Sequence, residues 1–199
     1  MCNIGFLNLG QKMMETHSFT NQLLIAMPRL NDPNFNRTVS YVCEHNADGA
    51  VAIIINKPTD YNLAFIFEQM HIPVSHPAAN QMPVMFGGPV QPDRGFVIHQ
   101  PAGTWRSSLH VSDDIVVTTS HDILEAIAKG EGPSEFLVAL GYAGWSPLQL
   151  EAEVASNYWL NCTLDIDVLF HTPAHLRWEF AARSMGIDIH QLGDASGHA

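Results

Sequence analysis

Residues 40–58 read SYVCEHNADGAVAIIINKP, with an apolar run on each side of Asp48-Gly49. An Asp-Gly pair between two such runs is a strong signal for a tight turn between antiparallel strands. The stretch therefore predicts a β-hairpin with strands over residues 38–45 and 50–56. Because the second strand is apolar on consecutive residues, we expect a sheet that is covered on both faces at this point.

The segments on either side of the hairpin alternate between strand and helix patterns. We predict helices over residues 61–70, 121–129, 146–156 and 172–186. Further strands are predicted over residues 21–28, 84–86, 95–99, 115–119, 135–143, 157–162 and 167–170. Covered strands together with an antiparallel hairpin predict a mixed α/β or α+β domain.

Spacing and capping residues support two of these helices. In the first, Thr59 or Asp60 is the expected cap. In the third, Ser146 is the expected cap, Pro147 the first helical residue, and Gln149 completes a capping box. The apolar residues that recur at helical spacing in the first helix are Leu63, Ile66, Phe67 and Met70.

The composition fits one acidic domain. The chain has 199 residues, of which 46% are hydrophobic, and this is enough to build a full core. Its 9 basic and 20 acidic residues give a formal net charge of -11. A surface with this charge repels the phosphates of nucleic acids. We therefore expect no direct binding of DNA or RNA.

Cysteine usage and the apolar runs predict a cytoplasmic protein with no membrane association. No run approaches the roughly 20 apolar residues needed to cross a bilayer. Residues 1–17 are predicted to be a leader, interpreted either as a disordered segment or as a mis-assigned start ahead of Met13 or Met14. Residues 18–199 are predicted to form a single domain. The three cysteines are odd in number and far apart, as expected in a reducing compartment: Cys2, Cys43 and Cys162.

Cys43, Glu44 and His45 are adjacent and resemble a catalytic cluster, but strand geometry argues against one. Side chains alternate along a strand, so Cys43 and His45 would share one face and Glu44 would lie on the other. Side chains two residues apart are roughly 6.5 to 7 Å apart at Cβ, too far for a local Cys–His dyad. Across the hairpin, Cys43 would face Ala52 or Ile54. We interpret Cys43 as buried and structural, with a nucleophile as the alternative.

The carboxylate of Glu44 needs a partner if its face of the strand is buried. That face otherwise carries apolar residues of both strands, where an ionised carboxylate would need a cation or several donors. Arg37 is the hypothetical partner. Exposure of Glu44 to solvent at the end of the hairpin is the alternative.

Four other features have a structural interpretation beside a functional one. Gly87-Gly88-Pro89 predicts a turn that needs positive φ or close approach, with a pocket as the alternative; it does not match a phosphate-binding loop. Trp145 follows a strand and precedes a capped helix, which indicates packing or a ligand cleft. Ser120, His121 and Asp122 are consecutive, and a helix cap at Ser120 with an acidic first-turn residue at Asp122 explains them without a catalytic role. The 11 histidines show no metal-ligand spacing, so no metal site is expected.

Eight motifs occur in one order along the chain: LIAMP (24–28), DPNFNRTV (32–39), YVCEHNADGA (41–50), INKP (55–58), FGGPVQPDRGFVIH (86–99), SDDIVVTTSHDIL (112–124), LVALGYAGWSPLQLEAE (137–153) and NYWL (157–160). Through these motifs, residues 20–198 resemble the AlgH/YqgE family of small bacterial proteins, and most closely its YqgE type. The resemblance implies an α+β fold with a mixed, bifurcated and partly barrel-closed β-sheet surrounded by helices. It implies no established activity and no agreed catalytic residues.

One branch of that family carries the label of transcriptional regulator, through a genetic link to alginate production. A chain with net charge -11 and no helix-turn-helix pattern would regulate only indirectly. We expect a non-catalytic domain that needs no cofactor and binds a small polar ligand or a protein partner. A hydrolase or redox enzyme using Cys43 or His45 is one alternative, and an indirectly acting regulator is another. The predicted binding face consists of Asn34, Arg37, Glu44, Asn56, Gly87, Gly88 and Trp145.

Overall fold

A computed structural model describes residues 18–188, and the leader predicted over residues 1–17 lies outside them. The strands are β1 (Gln22–Ala26), β2 (Val39–Asn46), β3 (Gly49–Ile54), β4 (Pro58–Asn62), β5 (Pro83–Phe86), β6 (Val90–Gln100), β7 (Ser108–His110), β8 (Val116–Thr118), β9 (Glu135–Trp145) and β10 (Trp159–Thr163). The α-helices are α1 (Leu63–Gln69), α2 (His121–Lys129), α3 (Gln149–Ala155) and α4 (Arg177–Ser184).

The strands form one strongly curled sheet that branches at β9. The main path runs β10-β1-β2-β3-β9-β6-β8-β7. Residues 135–142 of β9 pair with β6, whereas residues 143–145 pair with β3. β5 runs parallel to β9 at residues 138–140 and pairs on its other edge with β4. The α+β fold with a bifurcated, partly closed sheet is therefore confirmed.

Hydrophobic clusters cover both faces of the sheet. α4 contributes Trp178 to the first cluster, which also holds Tyr41 and Ile98. α1 and α2 cover a second cluster, which includes Val97 of β6. α3 contributes Leu150 to a third cluster around the other face of the hairpin. Because side chains alternate along β6, neighbouring residues of this strand belong to different clusters, and both faces are buried as the apolar runs predict.

A β-bulge changes the predicted geometry of the hairpin. β2 and β3 are antiparallel, but Val42 pairs with Ala52 while Glu44 pairs with Val51, so Cys43 is the extra residue. Cys43 therefore belongs to the first cluster, and the ring of His45 contacts Phe19 of the third cluster. The prediction that Cys43 and His45 share a face is wrong, because the bulge shifts the alternation by one residue.

Two chain segments cross in backbone contact where the sheet branches. Gly88 has φ +151°, and a Cβ on it would lie 2.2 Å from the carbonyl carbon of Tyr142. Gly141 has φ +74°, and a Cβ on it would lie 2.3 Å from the Gly88 carbonyl oxygen. The Gly87 N–H donates to the Leu140 carbonyl at 2.7 Å. The turn predicted at Gly87-Gly88 is thus a close approach that ties the β5–β6 connection to β9.

Helix α3 starts later than predicted. Leu148 has φ +63°, so residues 146–148 form a turn and the first helical residue is Gln149. The Ser146 N–H donates to Gln149 Oε1 at 3.0 Å, which is half of the expected capping box. Pro147 thus precedes the helix rather than starting it, because the left-handed residue after it redirects the chain.

Two other predictions in the helical segments are wrong. The cap of α1 is Asn62, whose Oδ1 accepts the Phe65 N–H at 3.1 Å, because β4 occupies residues 58–62. The strand predicted over residues 167–170 is a π-helical turn, Asp167–His171. Asp165 Oδ1 accepts the Asp167 N–H at 2.9 Å, and this local turn replaces extended backbone.

His99 of β6 is fully buried, and this burial predicts that stability depends on pH. Its Nε2 lies 2.9 Å from Thr118 Oγ1 and its Nδ1 lies 3.2 Å from the Pro101 carbonyl oxygen. Burial lowers the pKa of His99 below its ordinary value of 6.5; the Pro101 carbonyl opposes this effect and the charge of His110 adds to it. The neutral ring is therefore the form that the folded state favours.

Stability should fall with acidification through His99. Below the unfolded-state pKa of 6.5, the unfolded chain takes up a proton that the folded chain does not, until the pH reaches the lower folded-state pKa. The free energy of unfolding should drop over this window by at most about 1.4 kcal/mol per pH unit. Urea unfolding of the native protein and of His99→Gln across pH measures the difference in slope. Parallel curves throughout the acid range would contradict this prediction.

Candidate functional site

A large cleft lies between α1 and α2, above β6 and β9. Its volume is about 700 Å³, a size typical of small-molecule sites. Val97, Val138 and Leu140 form an apolar floor that belongs to the second cluster. Its rim includes side chains from β4, α1, the start of β6 and the β8–α2 connection: Thr59, Tyr61, Phe65, Gln69, Met70, Asp93, Thr119, Ser120 and His121.

Two aromatic rings stand exposed at the mouth of the cleft. Tyr61 and Phe65 stack with ring centroids 4.6 Å apart and an interplanar angle of 9°, although 45% and 38% of their surfaces are exposed. α1 buries Leu63 and Phe67 instead. Met70, whose spacing matches the apolar pattern, is 39% exposed and lines the same cleft. Exposed apolar side chains around a concave surface are typical of a binding site.

Polar groups lie at the other end of the cleft, where β8 leads into α2. Asp122 accepts hydrogen bonds from Ser120 Oγ at 2.5 Å and from the Arg106 N–H at 3.1 Å. Burial would raise the pKa of Asp122, but the donors Ser120, Arg106 and Ile123 outweigh burial and lower it. The carboxylate thus fixes the connection, and the adjoining residues Thr119 and His121 line the cleft.

Gly95 leaves open space in the wall of this cleft. A Cβ built on it would meet no atom within 4 Å. Gly95 and Val97 both line the cleft, as expected for residues two apart on one strand. The gap at Gly95 is therefore a position from which a larger side chain would extend into the cleft.

Three residues of the predicted binding face come together around one loop. Asn56 Nδ2 donates to the Arg37 carbonyl at 2.8 Å, and the Arg37 guanidinium lies 5.3 Å from the ring centroid of Trp178. The Asn34 carbonyl accepts a hydrogen bond from Lys57 Nζ at 2.9 Å, and Lys57 follows Asn56 in the sequence. These contacts hold the loop over residues 32–37 against residues 56 and 57, which follow β3, and against the start of α4.

Glu44 lies apart from that group. Its side chain is exposed at the end of the hairpin, where Oε1 accepts a hydrogen bond from Asn46 Nδ2 at 2.8 Å. The hypothetical Glu44–Arg37 pair is not formed, because the bulge and the hairpin direct Glu44 to solvent and Arg37 packs on Trp178. Solvent exposure, the alternative for Glu44, is what the structure shows.

Cys43 and His45 do not form a dyad. Cys43 is 3% exposed, and burial, followed by the charge of Glu44, raises the pKa of its thiol far above the ordinary range. His45 Nδ1 accepts the Phe19 N–H at 3.0 Å. Its Nε2 lies 3.2 Å from Glu151 Oε1, outside hydrogen-bond geometry. The two side chains therefore serve different hydrophobic clusters.

Trp145, the last residue of the predicted face, belongs to a packed pair of indoles. The Nε1–H groups of Trp145 and Trp159 both donate to Glu153 Oε2, at 2.9 and 2.8 Å. Gln149 Nε2 donates to the other carboxylate oxygen of Glu153 at 3.0 Å. The packing interpretation of Trp145 thus describes its contacts, and Glu153 of α3 is the group that organises them.

Sequence reasoning did not identify the cleft. Its signal was present in residues 61–70, where Tyr61 and Phe65 are apolar residues four apart that lie outside the buried stripe of Leu63 and Phe67. Within residues 18–188, no three His, Cys, Asp or Glu side chains converge to hold a metal ion. No helix in that range is long and apolar enough to cross a membrane.

The chain is similar to known proteins over nearly its whole length. The family model described as AlgH-like matches residues 23–190. The UPF0301 protein of Thioalkalivibrio sulfidiphilus is 54% identical over 187 residues, covering 94% of this chain and 100% of that protein. The UPF0301 protein of Legionella pneumophila (strain Lens) is 52% identical over 182 residues, covering 92% of this chain and 97% of that protein.

Solved structures agree with these matches. The solution structure of the AlgH protein from Pseudomonas aeruginosa superposes with a TM-score of 0.75 at 42% identity, covering 94% of this chain and 100% of that chain. A crystal structure of a Corynebacterium diphtheriae protein shares the fold, with a TM-score of 0.68 at 17% identity over 87% of this chain and 90% of that one. The assignment to the YqgE type stays a prediction, whereas the resemblance to AlgH is confirmed and the chain belongs to the AlgH-like family.

Proposed function

We propose that this protein is a non-catalytic binding domain whose ligand is a small amphipathic molecule held in the cleft between α1 and α2. The observation that carries the proposal is the cleft itself, which combines an apolar floor with the exposed Tyr61–Phe65 stack. An apolar or aromatic portion of the ligand would pack against the two rings and Met70. A polar group would reach Thr119 and His121 at the opposite end.

A catalytic role has less support from the contacts of the candidate residues. A nucleophilic thiolate needs a lowered pKa and access to solvent, whereas Cys43 is buried with a raised pKa. The indirectly regulating role is compatible with ligand binding, because a bound molecule could control contacts with another protein. The cytoplasmic location, the single domain over residues 18–199 and the binding face around Arg37 stay predictions.

Titration with the neutral dye Nile red tests the cleft. We expect saturable binding by the native protein and a loss of affinity of about tenfold or more in Gly95→Leu, because the new side chain would occupy the space that the ligand needs. Gly95→Ala serves as the matched control and should bind nearly as well as the native protein. Circular dichroism of each variant verifies that it is folded.

A second variant separates the cleft from the face predicted around Arg37. Arg37→Ala should leave the affinity for Nile red unchanged, since this residue lies on the Trp178 side of the domain. Equal affinity in the native protein and Gly95→Leu would refute the cleft as the binding site. A loss of affinity confined to Arg37→Ala would instead support the predicted face.

A further inference from the structure

A second cavity of about 410 Å³ lies on the other face of β6 from the cleft. Phe96 lines this cavity, whereas its neighbours Gly95 and Val97 line the cleft, as strand alternation requires. The floor is apolar and includes Cys43 and Ile53 of the hairpin. Its polar lining comes from the start of β6 and from the β7–β8 edge: Arg94, Arg106, Ser107, Ser108 and Thr119.

Two of the nine basic residues of the chain line this one cavity. The Arg94 guanidinium lies 5.5 Å from the ring centroid of Phe96, and its Nη1 donates to Gln91 Oε1 at 3.3 Å. Within residues 18–188, neither Arg94 nor Arg106 has a carboxylate oxygen within 4.0 Å. Both arginines are exposed, and they lie at one cavity of a chain whose net charge is -11.

The segment that carries Arg106 is fixed by three hydrogen bonds. The Arg106 N–H donates to Asp122 Oδ2 at 3.1 Å, and the Ser107 N–H donates to Ser120 Oγ at 3.2 Å. The Thr119 N–H donates to the Ser107 carbonyl at 2.9 Å, which places these two residues side by side. Asp122 accepts three donors, and its carboxylate attracts the Arg106 side chain without forming a salt bridge with it.

We propose that this cavity is an oxyanion-binding site in which the guanidinium groups of Arg94 and Arg106 bind a carboxylate or phosphate group. Guanidinium presents a planar set of donors that matches both kinds of oxyanion. Ser107 supplies a hydroxyl group as an additional donor at the same wall. The apolar floor of Phe96, Cys43 and Ile53 accepts the organic part of a larger anion. This site is distinct from the cleft and does not depend on the function proposed for it.

Glu44 is one negative charge that opposes an anion at this site, and Asp122, whose carboxylate attracts Arg106, is another. Glu44 is adjacent in sequence to Cys43, and its charge contributes to the raised pKa of that thiol, which lines the cavity. Glu44→Gln removes the repulsion without changing the shape of the side chain. At the separations and salt screening of an exposed group, we expect this change to raise the affinity for an anion about twofold.

Isothermal titration at constant ionic strength tests the site with two probes, inorganic phosphate and succinate. We expect saturable binding of at least one probe, and the stronger of the two identifies the preferred oxyanion. Arg94→Gln and Arg106→Gln should each weaken binding by about tenfold, the effect of losing one charge-assisted contact. Arg29→Gln is the matched control, because Arg29 also lies over an aromatic ring, 4.7 Å from the ring centroid of Tyr158, but away from the cavity.

The controls decide between a specific site and a general effect of salt. Binding that is kept in Arg29→Gln, lost in both cavity variants and strengthened in Glu44→Gln supports the proposal. No saturable binding of either probe to the folded native protein overturns it. Equal binding by the two cavity variants and the native protein also overturns it, since the anion then binds elsewhere. Nile red binding is measured on the same variants and should not change, so the two sites succeed or fail separately.

Discussion

Replacing Gly88 by alanine is expected to leave little folded protein. The added Cβ would lie 2.2 Å from the carbonyl carbon of Tyr142, 2.3 Å from its oxygen and 2.4 Å from the Ala143 nitrogen. All three atoms are backbone atoms of β9, so no side chain can rotate to make room. The crossing at the branch of the sheet would have to open.

The cost comes from two sources that add. Alanine is strained at φ +151°, by about 1 to 3 kcal/mol, and overpacking against fixed atoms costs a further 1 to 3 kcal/mol or more, as an order of magnitude. Together these costs reach the lower end of the free energy of unfolding of domains, about 5 to 15 kcal/mol. We therefore expect a large loss of soluble protein on expression and a strongly lowered midpoint of urea unfolding.

Gly95→Ala is the matched control for this prediction. It makes the same substitution at the start of β6, but the new Cβ meets no atom within 4 Å and the backbone is not in the left-handed region. We expect a change in stability within about 1 kcal/mol of the native protein, because no contact is disturbed. If Gly88→Ala were as stable as Gly95→Ala, the close crossing at the branch would be disproved.

Replacing Glu153 by alanine is expected to destabilise the protein by about 3 to 5 kcal/mol. One carboxylate oxygen accepts the N–H groups of Trp145 and Trp159, and these residues are only 7% and 2% exposed. Without Glu153 both donors stay in the third cluster with no acceptor, at about 1 to 3 kcal/mol each. Urea unfolding followed by tryptophan fluorescence measures the loss and reports directly on the two indoles.

Two variants identify the hydrogen bonds as the cause. Glu153→Gln keeps an acceptor oxygen and should lose only about 1 kcal/mol, the charge-dependent part of the interaction. Glu125→Ala removes a glutamate from the exposed face of α2, where its side chain is 47% exposed, and should change stability by less than about 0.5 kcal/mol.

A double variant tests the hydrogen bond to Trp159 directly. Combining Glu153→Ala with Trp159→Phe should lower the free energy of unfolding by less than the sum of the two single changes, and strict additivity would exclude a direct bond.

Local patterns predicted most of the strands and helices, whereas positions set by distant contacts were not predictable. Asp48-Gly49 indicated the hairpin because turn chemistry is local. The bulge at Cys43 depends on how β2 and β3 match across the ladder, so nothing in residues 40–45 signalled it. The π-helical turn at Asp167–His171 contains the apolar residues Val168 and Leu169, and a short apolar run does not distinguish a strand from a turn that buries the same side chains.

The site residues also divide into those that local patterns predicted and those that depend on distant contacts. Gly87 and Gly88 were predicted to need close approach or positive φ, and the structure supplies the partner strand that requires it. Arg94 and Arg106 lie 12 positions apart in the sequence and share a cavity only because β6, β7 and β8 pair. The role of Glu153 likewise depends on α3 packing beside Trp145 and Trp159. These juxtapositions arise from topology, which local spacing does not encode.

The branched sheet also determines when the protein can fold during its synthesis. β1 to β3 leave the ribosome first, but Ala52 of β3 pairs with Ala143 of β9, and Gln22 of β1 pairs with Thr163 of β10. At common translation speeds, roughly 5 to 20 s pass before β9 follows β3. During that interval the apolar edge of β3 has no partner from its own chain and is open to pairing with another chain.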